Sequence, residues 1–251
     1  MLFIRSLLFS LFFIILTSLT VILLSPFLVF RNHKVGDFVG CLWSATIVWI
    51  LKVTVKIRYE IRGMDNLPRS TNFIIACKHE SMWETIIMHT IFGNPVFILK
   101  RQLTWIPFFG WHLRNTSHIS VNRGGAAQAL RSTIKQAKVY LKKKRNIVIF
   151  PQGTRVEPDA KTEEYPYKPG IAGIFAATQY PVVPAALNSG FFWGKRRFIK
   201  RPGTIILEFM RPINYSKNFD KKIFMKKLKN KIETKSAELF EEANREWVDK
   251  Y

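Results

Sequence analysis

Phe73-Ile74-Ile75-Ala76-Cys77-Lys78-His79-Glu80-Ser81-Met82-Trp83-Glu84 is an apolar run of five, a short polar turn, and the start of a helical pattern. Phe73–Cys77 reads as a buried strand, and the pattern from Met82 to Ile91 reads as a helix. A strand that feeds a helix through a short turn is the repeating unit of α/β sheets. The rest of the chain after Val53 repeats this alternation. Further strands are predicted at Val55–Ile61, Val96–Leu99, His118–Val121, Ile147–Phe150, Val182–Leu187 and Ile205–Phe209. Further helices are predicted at Ala126–Lys143, Gly170–Ala177 and Lys221–Trp247. The expected fold is therefore α/β: a mixed, largely parallel sheet flanked by helices. In the last helix Phe224, Leu228, Ile232, Phe240, Ala243 and Trp247 share one face, a pattern that suits packing on the domain or contact with a membrane.

The N-terminal part differs. Ser6 to Phe30 is 25 residues without a charge, between Arg5 and Arg31. A bilayer-spanning helix needs about 20 apolar residues. The segment is too long for a signal-peptide core and has no small-residue cleavage site, so an uncleaved anchor is expected. Pro26 is a candidate end or kink. Phe38 to Leu51 is a second uncharged stretch of 14 residues, short for a span and suited to an interfacial or re-entrant helix. The division expected is 1–52 for membrane-anchoring helices and 53–251 for the α/β domain.

The chain of 251 residues carries 39 basic and 17 acidic side chains, a net charge of +22. Such an excess implies an anionic partner. The apolar N-terminus and 21 phenylalanines favour membrane lipid over nucleic acid. No zinc-type cysteine spacing or RNA-recognition motif is present. The basic clusters Lys142–Arg145, Lys195–Arg201 and Lys221–Lys231 are either solvated faces or contacts for lipid headgroups. Cys41 and Cys77 lie in apolar runs and read as reduced thiols of a cytosol-facing protein. His33, His89, His112 and His118 lack ligand spacing, so no metal is expected. The absence of a Gly-x-Ser-x-Gly elbow argues against a serine hydrolase.

The chemistry concentrates in two places. His79 follows a predicted strand, and Glu84 lies five residues on in the next helix. A carboxylate bonded to one ring nitrogen orients the imidazole, and the other nitrogen can then take a proton from a hydroxyl. The competing reading is structural, because Ser81-Met82-Trp83-Glu84 is also a capping box. The second place is Phe150-Pro151-Gln152-Gly153-Thr154-Arg155, which ends a predicted strand. Gly153 would let the backbone approach a ligand, and Arg155 offers a planar donor fork for an anion.

These two motifs resemble those of the glycerolipid acyltransferase superfamily, and within it the bacterial 1-acylglycerol-3-phosphate acyltransferases. The resemblance runs from roughly Asn72 to Gly190. The family's first motif, Asn-His-x-Ser-x-x-Asp, stands here as Lys78-His79-Glu80-Ser81-Met82-Trp83-Glu84, with Glu84 for the usual Asp. Such a His-x4-Glu variant also resembles the lipid A branch. Lys100, Gly110 and Arg123 match the family's second region, where Gln102 replaces a common Glu. The third motif has Gln152 for Glu. Lys168-Pro169-Gly170 resembles a Lys-x-Gly segment. Val182–Ala186 resembles a fourth motif and is either the wall of an acyl pocket or plain core.

The resemblance implies transfer of an acyl chain from acyl-CoA or acyl carrier protein to the sn-2 hydroxyl of lysophosphatidic acid, forming phosphatidic acid. It implies His79 and Glu84 as the catalytic pair. Lys100, Arg123, Gly153, Thr154 and Arg155 would bind the substrate phosphate, and backbone N–H groups near Gly153 are candidates for the oxyanion. No cofactor is implied. The expected place is the bacterial inner membrane, with the catalytic part on the cytoplasmic side. The alternatives are an acyltransferase for glycerol 3-phosphate, another lysophospholipid or a lipid A precursor. A non-catalytic membrane or nucleic-acid binding protein is the alternative of a different class.

Overall fold

The computed structural model of the chain describes residues 1–24, 33–93, 95–106, 110, 113, 118–122, 126–160 and 163–250. It begins with two apolar helices, α1 (Leu2–Leu24) and α2 (His33–Ile50), the second continued by a wider π turn over Leu51–Val55. Pro26 lies outside the described residues. By length and composition, residues 2–23 and 35–55 are both sufficient to cross a bilayer. The second helix is longer than its uncharged stretch predicts. It runs through Asp37, whose carboxylate lies 3.4 Å from the Arg145 guanidinium.

Seven strands follow: β1 (Ile57–Arg62), β2 (Ile74–Cys77), β3 (Val96–Lys100), β4 (Ile119–Val121), β5 (Ile147–Ile149), β6 (Val182–Leu187) and β7 (Gly203–Phe209). Between and after them run α3 (Trp83–Phe92), α4 (Ala126–Lys142), α5 (Gly170–Thr178), α6 (Ser189–Phe192) and α7 (Lys221–Lys250). Every predicted strand is present, with each end within two residues of its expected place. The short α6 has no counterpart in the prediction. Four residues cannot show a helical period, so the turn is set by what surrounds it.

The strands form one sheet in the order β1-β7-β6-β2-β5-β3-β4. β2 pairs in parallel with β5 and β6, and β3 in parallel with β4 and β5. β7 is antiparallel to β6 and carries β1 parallel to itself. The carboxyl ends of β2, β3, β4, β5 and β6 thus lie on one edge of the sheet. The central strands β2, β5 and β6 are buried along their whole length, which explains why they read as unbroken apolar runs.

Alternate residues of each strand feed two cores. Ile75 and Cys77 face α3 and the N-terminal helices, in a cluster with Trp83, Ile86, Phe9, Ile47 and Leu51. Ile74 and Ala76 face the other way, toward Leu141, Phe175, Phe224 and Leu228. On α7 the apolar stripe packs on the domain: Phe224, Leu228, Ile232, Leu239 and Ala243 are buried, and Phe240 and Trp247 are partly covered. The first core also runs without a break into α1 and α2. Phe9 is 1% exposed and meets Trp193 edge-on at 5.2 Å. Ser6 is fully buried and accepts a hydrogen bond from the Lys200 amide at 2.9 Å. One side of α1 therefore belongs to the protein core, while Ile14, Leu19, Ile22 and Leu23 stay exposed.

This shared core gives a direct expectation. Phe9→Ala should cost about 3–5 kcal/mol, as for a buried aromatic in a soluble core. The unfolding midpoint in non-ionic detergent should fall by several degrees, whereas Ile14→Ala, at an exposed position of the same helix, should leave it unchanged. Equal midpoints for the two variants would mean that α1 is an independent anchor.

Candidate active site

The site is built where β2 ends. The Lys78 amide still donates to the Ala185 carbonyl at 3.2 Å, continuing the ladder with β6 by one residue. The chain then turns through His79, Glu80 and Ser81 into α3. Glu84 sits in the first turn of that helix, and side chains there lean back toward the N-terminus. Its carboxylate is fully buried. Oε1 lies 2.8 Å from His79 Nδ1 and accepts the Glu80 and Ser81 amides at 2.6 and 2.7 Å. Oε2 accepts the Ser189 hydroxyl at 2.9 Å.

Both readings of this segment draw on one atom. Glu84 Oε1 serves the imidazole and also returns to the Ser81 amide as a capping-box glutamate does. Ser81 Oγ accepts from the Trp83 amide at 3.2 Å. The imidazole is held on two sides: its ring stacks on Phe150 with centroids 4.0 Å apart and 16° between planes. Among the described residues nothing hydrogen-bonds Nε2. The His79 side chain is 17% exposed.

Phe150 brings in the second motif. Gly153 has φ +69°, where a side chain would be strained, and its amide closes the turn onto the Phe150 carbonyl at 2.9 Å. Its N–H is thus engaged and does not suit an oxyanion. The neighbouring Thr154 and Arg155 amides donate to nothing among the described residues, and both residues are half-buried. Val156 N–H then bonds the His79 carbonyl at 2.8 Å, which locks the two motifs together. Among the described residues the Arg155 guanidinium has no carboxylate partner, and its carbonyl accepts Lys195 Nζ at 2.9 Å. Lys100 ends β3, two strands from β2 on the same edge of the sheet. Arg123 and the Pro107–Phe109 turn lie outside the described residues.

The residues on either side of His79 enter a buried polar network that sequence reading missed. Lys78 Nζ is 3.0 Å from Glu233 Oε2 and 3.7 Å from Glu80 Oε1, and Tyr167 donates to Glu233 Oε1 at 2.7 Å. Glu80 Oε2 accepts the Gly190 amide at 3.0 Å. A Cβ on Gly190 would fall 2.6 Å from Pro158 and 2.9 Å from Glu80, so only glycine fits there. Burial pushes the Glu80 carboxyl up to about 8, against the pull of Lys78 and the Gly190 amide. Ser189 and Gly190 directly follow a strand whose carboxyl end lies on the active edge, and that position is the signal that could have found them. Nothing in the sequence points from Lys78 to Glu233, 155 residues away.

Other candidates drop out. The Cys77 thiol is held well above its ordinary value, first by burial and then by Glu84 and Glu80, which makes it a poor nucleophile. The buried His89 is pushed down to about 4, first by burial and then by Arg145, as for a neutral core histidine. No group of three or more His, Cys, Asp or Glu suited to a metal occurs among the described residues.

A histidine–carboxylate pair beside a cationic turn on an α/β sheet edge matches a known sequence family: the family model described as Acyltransferase matches residues 58–188. The chain belongs to the acyltransferase family. A 1-acyl-sn-glycerol-3-phosphate acyltransferase of Pseudomonas aeruginosa is 35% identical to it over 182 residues, 72% of this chain and 68% of that protein. An enzyme of the same name from Cocos nucifera is 28% identical over 187 residues, 73% of this chain and 58% of its own. The crystal structure of the 1-acyl-sn-glycerophosphate (LPA) acyltransferase PlsC of Thermotoga maritima superposes with a TM-score of 0.73. It covers 95% of this chain and 99% of that one at 22% identity, which establishes the shared fold. This acyltransferase thus has the expected architecture, a largely parallel sheet with two apolar N-terminal helices.

Glu80 offers a test of the buried network. Its folded-state value lies above the ordinary 4.5, so the folded protein holds the proton more tightly. Its contribution to stability is present at low pH and is lost as pH rises from about 4.5 toward about 8. Glu80→Gln keeps an acceptor for Gly190 and should flatten the stability profile over that range in denaturant titrations. Glu80→Ala should cost about 1–3 kcal/mol, because the Gly190 amide is left unsatisfied. A wild-type slope retained in Glu80→Gln would assign the titration to another group.

Proposed function

We propose that the chain transfers an acyl group from an acyl thioester to the sn-2 hydroxyl of 1-acylglycerol 3-phosphate, forming phosphatidic acid. The observation that carries this reading is the imidazole held between Glu84 and Phe150, with Nε2 unbonded among the described residues and the Arg155 turn tied to the His79 carbonyl through Val156. The names of the related enzymes support the choice of acceptor. His79 Nε2 takes the hydroxyl proton as the acceptor oxygen attacks the thioester carbonyl. Glu84 keeps Nδ1 bonded and stabilises the imidazolium that forms. The tetrahedral intermediate collapses with loss of the thiolate, and the proton on Nε2 passes to it. The Thr154 and Arg155 amides are the candidates for the oxyanion. Arg155, Lys100 and Arg123 hold the acceptor phosphate, and the glycine turn at Gly153 shapes their approach. Acyl-CoA and acyl carrier protein are both acidic donors that suit the net charge of +22.

We further propose that residues 1–52 anchor the 53–251 domain in the bacterial inner membrane, with the site on the cytoplasmic side. The exposed apolar side of α1 and the two free cysteines support this placement.

His79→Ala should lower turnover by about 10²–10⁴-fold without loss of fold, the usual cost of a missing general base. Glu84→Asp should retain more activity than Glu84→Ala. If Glu84→Ala and His79→Ala only lower thermal stability, the pair is structural.

Arg155 is tested by comparing lysophosphatidic acid with a monoacylglycerol as acceptor. Loss of a charge-assisted bond of about 1.5–3 kcal/mol in Arg155→Ala should shrink the preference for the phosphorylated acceptor roughly ten- to a hundredfold. Equal loss on both acceptors would remove Arg155 from the phosphate site.

A further inference from the structure

Beyond Ser189 and Gly190, α6 leads into Gly194-Lys195-Arg196-Arg197-Phe198-Ile199-Lys200-Arg201, which holds five cations and no carboxylate. A cavity of about 460 Å³ lies here, lined by Phe191, Phe192, Phe198, Ile199, Arg197 and Arg201. Its inner wall, Phe191 and Phe192, is buried. Its outer wall is not: Phe198 is 44% exposed and Ile199 49%. Apolar side chains left in water between arginines make a mouth that is both cationic and greasy.

The positive charge is poorly compensated. The Arg201 guanidinium lies 4.9 Å from the Phe191 ring and 5.4 Å from the Trp247 ring. Among the described residues no carboxylate pairs with it. Arg197 has one counter-charge, Glu157 at 3.4 Å, on a half-exposed side chain. Lys195 and Lys200 give their ammonium groups to backbone carbonyls, of Arg155 and Phe198. Lys200 is also enclosed by the rings of Phe9, Trp193 and Phe198, and burial lowers its pKa. Arg201 is therefore a fixed, ring-stacked donor fork facing a cavity without its own anion, the arrangement that suits a phosphate.

The cavity stands at the root of α1. The Phe3 ring is 5.3 Å from Phe198, and the Lys200 amide is bonded to Ser6. Next to these contacts α1 exposes Ile4, Leu7, Leu8 and Leu11. With α1 in a bilayer, the mouth meets the headgroup layer.

We propose that this cavity binds an anionic bilayer glycerophospholipid, with its phosphate on Arg197 and Arg201 and the start of an acyl chain along Phe191, Phe198 and Ile199. Arg155, the proposed acceptor-phosphate grip, is not among the residues that line this cavity. The proposal rests on the membrane placement of α1 and is independent of the choice of acceptor. An acidic carrier protein would meet the cations but has no use for the apolar walls, which are what favour a lipid.

The test uses the full-length protein in non-ionic detergent, titrated with dioleoyl phosphatidylglycerol or dioleoyl phosphatidylcholine and read by native mass spectrometry of lipid-bound protein. Wild type should retain phosphatidylglycerol about tenfold better, the scale of one charge-assisted bond. Arg197→Gln combined with Arg201→Gln should abolish that preference, and Ile199→Asp should weaken retention of both lipids. If the double variant does not fold, Arg197→Gln and Ile199→Asp, both at exposed positions, carry the test. Equal retention of the two lipids by wild type, or an unchanged preference in the folded variants, overturns the proposal. So does displacement of the lipid by inorganic phosphate alone at equal concentration, or a variant that keeps the lipid preference and raises only the KM for acyl-CoA. Turnover with lysophosphatidic acid, measured in the same preparations without anionic lipid, scores the acyl-transfer reading separately.

Discussion

Four hydrogen bonds converge on one buried carboxylate. Glu84 receives two backbone amides from the turn that precedes its helix, faces the imidazole of His79, and takes the hydroxyl of Ser189 from beyond β6. A carboxylate removed from water is tolerable only when its lone pairs are met. Meeting them fixes how β2 turns into α3, where His79 points, and how closely α6 approaches. The Phe150 ring closes the remaining side of the imidazole, and the Val156 amide ties the loop that follows to the His79 carbonyl. One ionisable group thus organises segments from three parts of the chain, and the chemistry of the site is a consequence of that satisfaction.

The departures from the familiar motif pattern become intelligible at this level. Glutamate in place of aspartate at position 84 adds one methylene, and the reach is used to meet the Glu80 and Ser81 amides as well as the ring. Lysine at position 78, where the family has asparagine, does not enter the active cleft. It points into the buried network with Glu80, Glu233 and Tyr167, 5% exposed, and holds α7 against the turn. Gly190 is the residue that allows that network to close against the turn.

The apolar N-terminal helices are part of the same construction. Phe9, Ser6 and Ile47 are buried in the core that backs α3, so the orientation of α1 is transmitted to the sheet through protein contacts. An apolar helix packed in this way fixes the edge of the domain that lies beside it. The cationic segment Lys195–Arg201 lies at that junction and contributes a carbonyl contact to the Arg155 turn on one side and an amide contact to α1 on the other.

Much of this was legible without coordinates. The buried strands announced themselves as apolar runs because central parallel strands are covered on both faces, and the α7 stripe of Phe224, Leu228 and Ile232 carried its period openly. His79 and Glu84 were legible because they are five residues apart and their meeting is a local event at a helix start. Gly153 was legible as a turn, and its amide closes that turn onto the Phe150 carbonyl. What the sequence could not hold was anything decided by strand order. Ser189 meets Glu84 across 105 residues, Gly190 meets Glu80 across 110, and Glu233 meets Lys78 across 155. These contacts exist because β2 and β6 are neighbours and α7 folds back over them, a choice made by the summed packing of two cores rather than by any local signal. The chain by itself determined its elements, the meeting of His79 with Glu84 and its excess of positive charge. Only the tertiary structure decided which distant polar groups would satisfy the buried charges, because that depends on which surfaces are brought together when water is excluded.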